Sequence, residues 1–108
     1  MIFTVTLNPA IDRTLYISEF HKGGTFLVEK SQYLPAGKGI NVSRVLDCMG
    51  VKSTALMLLG KEAIRSFTSS FDRTLIDSEV ISHNGLVRTN TTIIDPTGGT
   101  ETHIREKG

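Results

Sequence analysis

The strongest constraint on the fold is the order of the apolar segments. Residues 2–7, IFTVTL, form an apolar, β-branched run that Asn8-Pro9 stops. Proline removes a ladder donor and disfavours helix in the residue before it, so this reads as a buried first strand ending in a loop. Residues 53–59, STALMLL, form a second such run, ending at Gly60. Between the two, Val42, Val45, Leu46 and Met49 fall at i, i+3, i+4 and i+7, the spacing of one helix face, and Gly50 stands where a C′ stop belongs. That helix is expected to open at Asn41. Further on, Ile64, Phe67, Phe71 and Leu75 mark one face of a second helix, and residues 79–82 a third short strand. Strand, helix, strand, helix, strand is the order of a parallel sheet with crossover helices, so the expected class is α/β.

The other segments follow a different pattern. Residues 15–17 and 26–33 are short extended candidates separated by Gly23-Gly24, a pair of antiparallel strands with one face outside the core. Residues 86–94 and 100–105 both alternate, and Asp95-Pro96-Thr97-Gly98-Gly99 between them is turn chemistry, which predicts a β-hairpin. These strands are expected to join one another outside the parallel sheet. At 108 residues there is room for one small domain and a modest core, a tight fit for a complete two-substrate enzyme. A net charge of +1 with acids and bases interspersed provides no basic field for nucleic acid or anionic membrane. Cys48 is the only cysteine, and His21, His83 and His103 show no ligand spacing, so neither a disulfide nor a metal site is expected. With no signal-peptide pattern and no apolar run of membrane-spanning length, the expected setting is the reducing cytoplasm.

The stretch PAGKGINVSRVL, residues 35–46, places Gly37-Lys38-Gly39 at a helix start. A P-loop would need glycine at position 32 and Ser or Thr at 39, where Gln32 and Gly39 stand. A dinucleotide fingerprint would need G-x-G-x-x-G directly after a strand, and Ile40-Asn41-Val42 breaks that pattern. What remains is physical: glycines permit close backbone approach, a helix N-terminus offers free N–H groups and a positive dipole end, and Lys38 adds a flexible cation.

Three segments then carry a resemblance: Thr6-Leu7-Asn8-Pro9-Ala10-Ile11-Asp12, the stretch from Ala36 to Leu46, and Arg88-Thr89-Asn90. Together they resemble the start of the PfkB branch of the ribokinase-like sugar kinases, nearest the 1-phosphofructokinase and tagatose-6-phosphate kinase group. The resemblance implies the N-terminal part of a ribokinase-like fold: a single incomplete domain over residues 1–108, a parallel β-α-β sheet plus an antiparallel lid near 15–33 and 86–105. It implies that Asp12 hydrogen-bonds sugar hydroxyls, that Gly37, Lys38, Gly39 and Asn41 pack against the sugar, and that Arg88 reaches the phosphate already on the substrate. Asn90 points the same way as Arg88 by strand alternation. The implied reaction is transfer of the γ-phosphate of Mg-ATP to a phosphorylated ketohexose, with an assembly that pairs lid strands in a homodimer.

The departures bear on activity. The family's second signature, an aspartate with a G-A-G-D turn, supplies the catalytic base and the anion hole. No such signature occurs here; Asp95-Pro96-Thr97-Gly98-Gly99-Thr100 lacks its terminal aspartate and joins two alternating strands. The base is therefore expected beyond Gly108, no tight Mg-ATP binding is expected in this chain, and the isolated chain is expected to be inactive. Ala36-Gly37 stands where many relatives carry two glycines, and residues 60–66 lack an aspartate often found there. The residues themselves leave alternatives open: Asp12 as a turn cap after Pro9, Asn41 as a helix N-cap, Lys38 and Arg88 as solvated surface cations. A non-catalytic sugar-phosphate binder or dimerisation module is the alternative function.

Overall fold

The computed structural model describes residues 1–107. Its elements are β1 (Phe3–Thr6), β2 (Ala10–Tyr16), β3 (Lys30–Ala36), α1 (Lys38–Cys48), β4 (Ser53–Gly60), a 3-10 turn at Lys61–Ala63, α2 (Ile64–Ser69), β5 (Ile76–His83), β6 (Arg88–Asp95) and β7 (Thr100–Ile104). Two sheets result. One is parallel, in the order β1-β4-β5; the other is four-stranded, in the order β3-β2-β6-β7, with β2 and β6 parallel and the outer pairs antiparallel.

The core lies on one face of the parallel sheet. Ser53, Ala55, Met57 and Leu59 of β4 turn inward, and Ala55, Met57 and Leu59 meet Ile40 of α1 and Phe67 and Phe71 from the α2 region. Each large apolar side chain buried there contributes about 1.5–3 kcal/mol. A chain of hydroxyls pins three elements together beneath it: Thr4 bonds Ser43 at 2.7 Å, and Ser53 donates to Ser43 at 3.0 Å.

β1 differs from the expected buried strand. It alternates, with Thr4 and Thr6 inward while Phe3, Val5 and Leu7 are exposed. The reason is that α1 covers only the threonine side, and parallel sheets need a layer on each face to bury both. The periodicity of α1 misleads in the same way. The helix opens at Lys38, three residues ahead of Asn41, and buries Ile40 and Ser43, so Val42, Val45 and Met49 face outward. Its C-terminus follows the sequence: Gly50 at φ 74 donates to Asp47 O and Val51 donates to Leu46 O at 2.8 Å, the paired bonds of a Schellman stop. The second helix is shorter than its apolar spacing. Leu75 lies beyond it, exposed, with its N–H donated to Asp47 Oδ1 at 2.8 Å.

In the second sheet, β2 begins at Ala10, directly after Pro9, and β3 runs to Ala36, because Ala10 finds ladder partners in both Ala36 and Arg88. Residues 26–29, read as strand from the sequence, belong instead to the loop between β2 and β3. The β6–β7 hairpin forms as expected, closed by Gly99 N–H on Asp95 O at 2.9 Å. Asp95 has a role beyond the turn. Its buried carboxylate accepts N–H groups from Thr97 and Gly98, and from Glu19 and Phe20 of the β2–β3 loop.

Candidate functional site

The entry to α1 is built by packing. Its N-cap is Gly37, which has no side chain to cap with, and the vacant role falls to Thr6 of β1, whose Oγ1 accepts the Ile40 N–H at 3.0 Å. Asn41 donates its N–H to Gly37 O at 2.8 Å, which places it inside the first turn rather than at the cap. Lys38 and Gly39 are then the first-turn N–H groups without a helical acceptor. Gly39 is required sterically, since a Cβ there would stand 2.6 Å from the carbonyl oxygen of Val5. The glycine thus serves the approach of α1 to β1, a reason that spacing alone could not reveal.

Two clefts receive the expected site residues. Gly37, Lys38, Gly39 and Arg88 line one of about 370 Å³ together with Leu7 and Asn8. The Arg88 guanidinium is tied to two backbone oxygens: Nη2 donates to Asn8 O and Nη1 to Glu106 O, each at 3.4 Å. Arg88 and Asn8 also border a larger depression of about 540 Å³ that continues past His83 and Leu86. Asp12 and Asn90 line a different cleft, of about 290 Å³, on the lid sheet. They are ladder partners across β2 and β6, and Asn90 Nδ2 approaches Asp12 Oδ1 at 3.5 Å. Asp12 sits in mid-strand, exposed, so it does not cap a turn. Asn41 is exposed on α1 and lines neither cleft.

Sequence reasoning passed over several participants. Thr6 was hidden because a cap supplied from another strand leaves no local pattern. Thr92 and His103, 3.1 Å apart, and Arg105 share the cleft of Asp12; the alternation of β6 and β7 held that information. The carboxyl of Asp95 is held below the usual range chiefly by the Gly98 N–H and by those of Glu19, Thr97 and Phe20, against its burial. Among the described residues no three His, Cys, Asp or Glu side chains gather to hold a metal ion, and no helix is long and apolar enough to cross a membrane.

A parallel sheet with a glycine-rich helix entry packed beside the end of its first strand, and an arginine from a β lid at the same cleft, defines a class of small-molecule binding α/β proteins. A family model described as pfkB family carbohydrate kinase matches residues 5–107, and the chain belongs to that family. It is similar to the 1-phosphofructokinase of Vibrio cholerae, 32% identical over 97 residues, covering 90% of this chain and 31% of that protein. With the 1-phosphofructokinase of Bacillus subtilis it shares 39% over 79 residues, 73% of this chain and 24% of that one. Among solved structures, a presumed phosphofructokinase from Staphylococcus aureus superposes with a TM-score of 0.87 at 34% identity, covering 100% of this chain and 34% of that one. The phosphofructokinase-2 of Escherichia coli in complex with fructose-6-phosphate shares the fold, with a TM-score of 0.85 at 22% identity over 99% of this chain. The chain thus spans about a third of the length of the Vibrio and Staphylococcus proteins.

Proposed function

We propose that these 108 residues form the acceptor side of an ATP-dependent kinase for a phosphorylated ketohexose, of the 1-phosphofructokinase type. The observation that carries the reading is the convergence of the first turn of α1 and Arg88 on one cleft, with Asp12 and Asn90 beside each other on the neighbouring lid surface. An arginine fork suits the oxygens of a phosphate monoester, and a carboxylate accepts from sugar hydroxyls. The Lys38 and Gly39 N–H groups and the dipole of α1 favour the anionic end of the same ligand. Lys38 itself is an exposed cation lining the same cleft.

The described residues do not fit the donor. They gather no acidic cluster for magnesium, and the sequence carries no G-A-G-D turn to supply a base and an anion hole. Sugar binding without transfer is therefore the activity proposed for the 108-residue chain, with Mg-ATP belonging to a complete enzyme. A second reading, a binder that pairs through its lid, is supported by Tyr33 and Leu34 on β3 and Ile104 on β7, apolar side chains exposed on the two outer strands of that sheet.

The test is an amide-resolved NMR titration with fructose 1-phosphate. Saturable shifts confined to Gly37, Gly39, Asp12 and residues 88–90 are expected. Shifts absent from these positions, or equal with unphosphorylated fructose, overturn the reading. Concentration-dependent mass by light scattering, without sugar-phosphate binding, would favour the pairing module.

A further inference from the structure

The parallel sheet is covered on one side only. Ile40 of α1 and Phe67 and Phe71 from the α2 region all lie against the inward residues of β4, so among the described residues both helices pack on the same face. Strand alternation turns the intervening residues to the opposite face, and the ladder aligns them in rows, Val5 beside Leu56 and Leu58 beside Ile81. With Phe3 and Leu7 they make a continuous apolar patch, in which Phe3 is 60% and Ile81 58% exposed. Asp77 and Glu79 of β5, both exposed, stand on its far side from β1. β1 is the outer strand of that sheet, with one edge unpaired among the described residues. At the C-terminal end of the strands the patch runs into the candidate site, since Leu7 and Leu58 line the depression of about 540 Å³ that Arg88 borders.

We propose that this bare face and the open edge of β1 dock a polypeptide that carries the donor side of the kinase, and that docking closes the depression beside Arg88. Turnover in the resulting complex rests on the sugar-phosphate reading of the site; docking itself does not. Parallel sheets are covered on both faces, as a rule by helices, and a contiguous exposed apolar patch marks a contact with another polypeptide. An apolar centre with Asp77 and Glu79 at its rim has the composition of such a contact. The occupant follows from chain length. The Staphylococcus protein superposes on all of this chain, yet this chain covers 34% of it, and the shared part leaves the face bare. The remaining two-thirds or so of such a relative is the polypeptide available to cover it. The base, the anion hole and the nucleotide contacts that these residues do not gather fall to the same portion. A strand added at β1 would take up its free N–H and C=O groups, and helices laid over Phe3, Val5, Leu56 and Leu58 would bury them. Because Leu7 and Leu58 belong to both patch and depression, a partner seated there lies directly against the sugar-phosphate cleft.

The probe is the Bacillus subtilis 1-phosphofructokinase without the stretch that matches this chain, co-expressed with the chain. The expected result is a one-to-one complex by size exclusion with light scattering, slowed hydrogen exchange at residues 3–7, and ADP release from Mg-ATP with fructose 1-phosphate. Phe3→Glu and Ile81→Glu should each weaken the association more than about tenfold, because docking buries the new charge, while leaving the melting of the chain alone unchanged. Val45→Glu, on the helical side, should leave the complex intact. Absence of a complex, or a complex that Val45→Glu breaks and Phe3→Glu does not, overturns the docking face. Dimerisation of the chain alone that Phe3→Glu abolishes gives the face to a second copy and equally overturns it. A complex broken by Phe3→Glu that releases no ADP supports the docking face and counts against the sugar-phosphate reading.

Discussion

Replacing Thr6 by valine tests how the candidate cleft is held in shape. Thr6 is 4% exposed, and its hydroxyl is the side-chain acceptor for the first turn of α1, taking the Ile40 N–H at 3.0 Å. Valine keeps the volume of the side chain, including the methyl against which Gly37 packs, and removes only the oxygen. A buried N–H left without its partner costs about 1–3 kcal/mol, and loss of an N-cap acceptor typically about 1 kcal/mol. These are two views of one loss and do not add, so about 1–2 kcal/mol is expected. For a domain of this size that is a fall in Tm of roughly 5–15 °C. Thermal unfolding followed by far-UV circular dichroism at neutral pH reads the shift, and hydrogen exchange reads its location, with protection lost first at Ile40. Thr6→Ser keeps the oxygen and should retain the protection at Ile40. A valine variant that melts with the unaltered chain and protects Ile40 equally would refute the cross-strand cap.

Gly39→Ala should lower both stability and sugar-phosphate affinity, because its Cβ would meet Val5 O at 2.6 Å and force α1 away from β1, at about 1–3 kcal/mol; equal urea midpoints would contradict it. Asp95 has a folded pKa below its unfolded value of about 3.9, so its stabilisation is complete above that pH and is lost as the pH falls through the lower folded value. Glu29, lowered by its hydrogen bonds with Ser18, acts in the same direction. Urea midpoints should therefore drop below about pH 4, and Asp95→Asn should be less stable at pH 7 with a flatter acid limb. The outward stripe of α1 leaves Val45 59% and Met49 69% exposed, so Val45→Glu with Met49→Glu should leave the circular dichroism spectrum and the thermal midpoint nearly unchanged, and a large fall in the midpoint would contradict the outward assignment. A coupled assay of the chain with Mg-ATP and fructose 1-phosphate should show no ADP release.

Local chemistry was the legible part of the sequence. Gly50 ends α1 and the Asp95–Gly99 segment closes a hairpin because each depends on a few neighbouring residues. β1 and β4 followed from two apolar runs, while β5 spans Ile76–His83, longer than the 79–82 read from its mixed sequence. Orientation was not legible. Val42, Val45 and Met49 form a periodic stripe as convincing as any core face, yet Ile40 and Ser43 are what the sheet covers, since periodicity locates an apolar face without saying what lies against it. β2 was under-read because Ala10–Tyr16 carries apolar and polar residues on both faces. At the site, Gly37, Gly39 and Arg88 were named from the family resemblance, and the structure lines one cleft with them. Thr6 and Arg105 needed the register of strands far apart in the chain, and Asn41, placed in the motif, lines neither cleft.

Calorimetric titration of the chain with fructose 1-phosphate and, separately, with Mg-ATP tests most directly whether these residues form the acceptor side of a kinase without its donor side. Saturable heat with fructose 1-phosphate and none with Mg-ATP is the predicted result. Binding of Mg-ATP in the absence of any response to fructose 1-phosphate would contradict it.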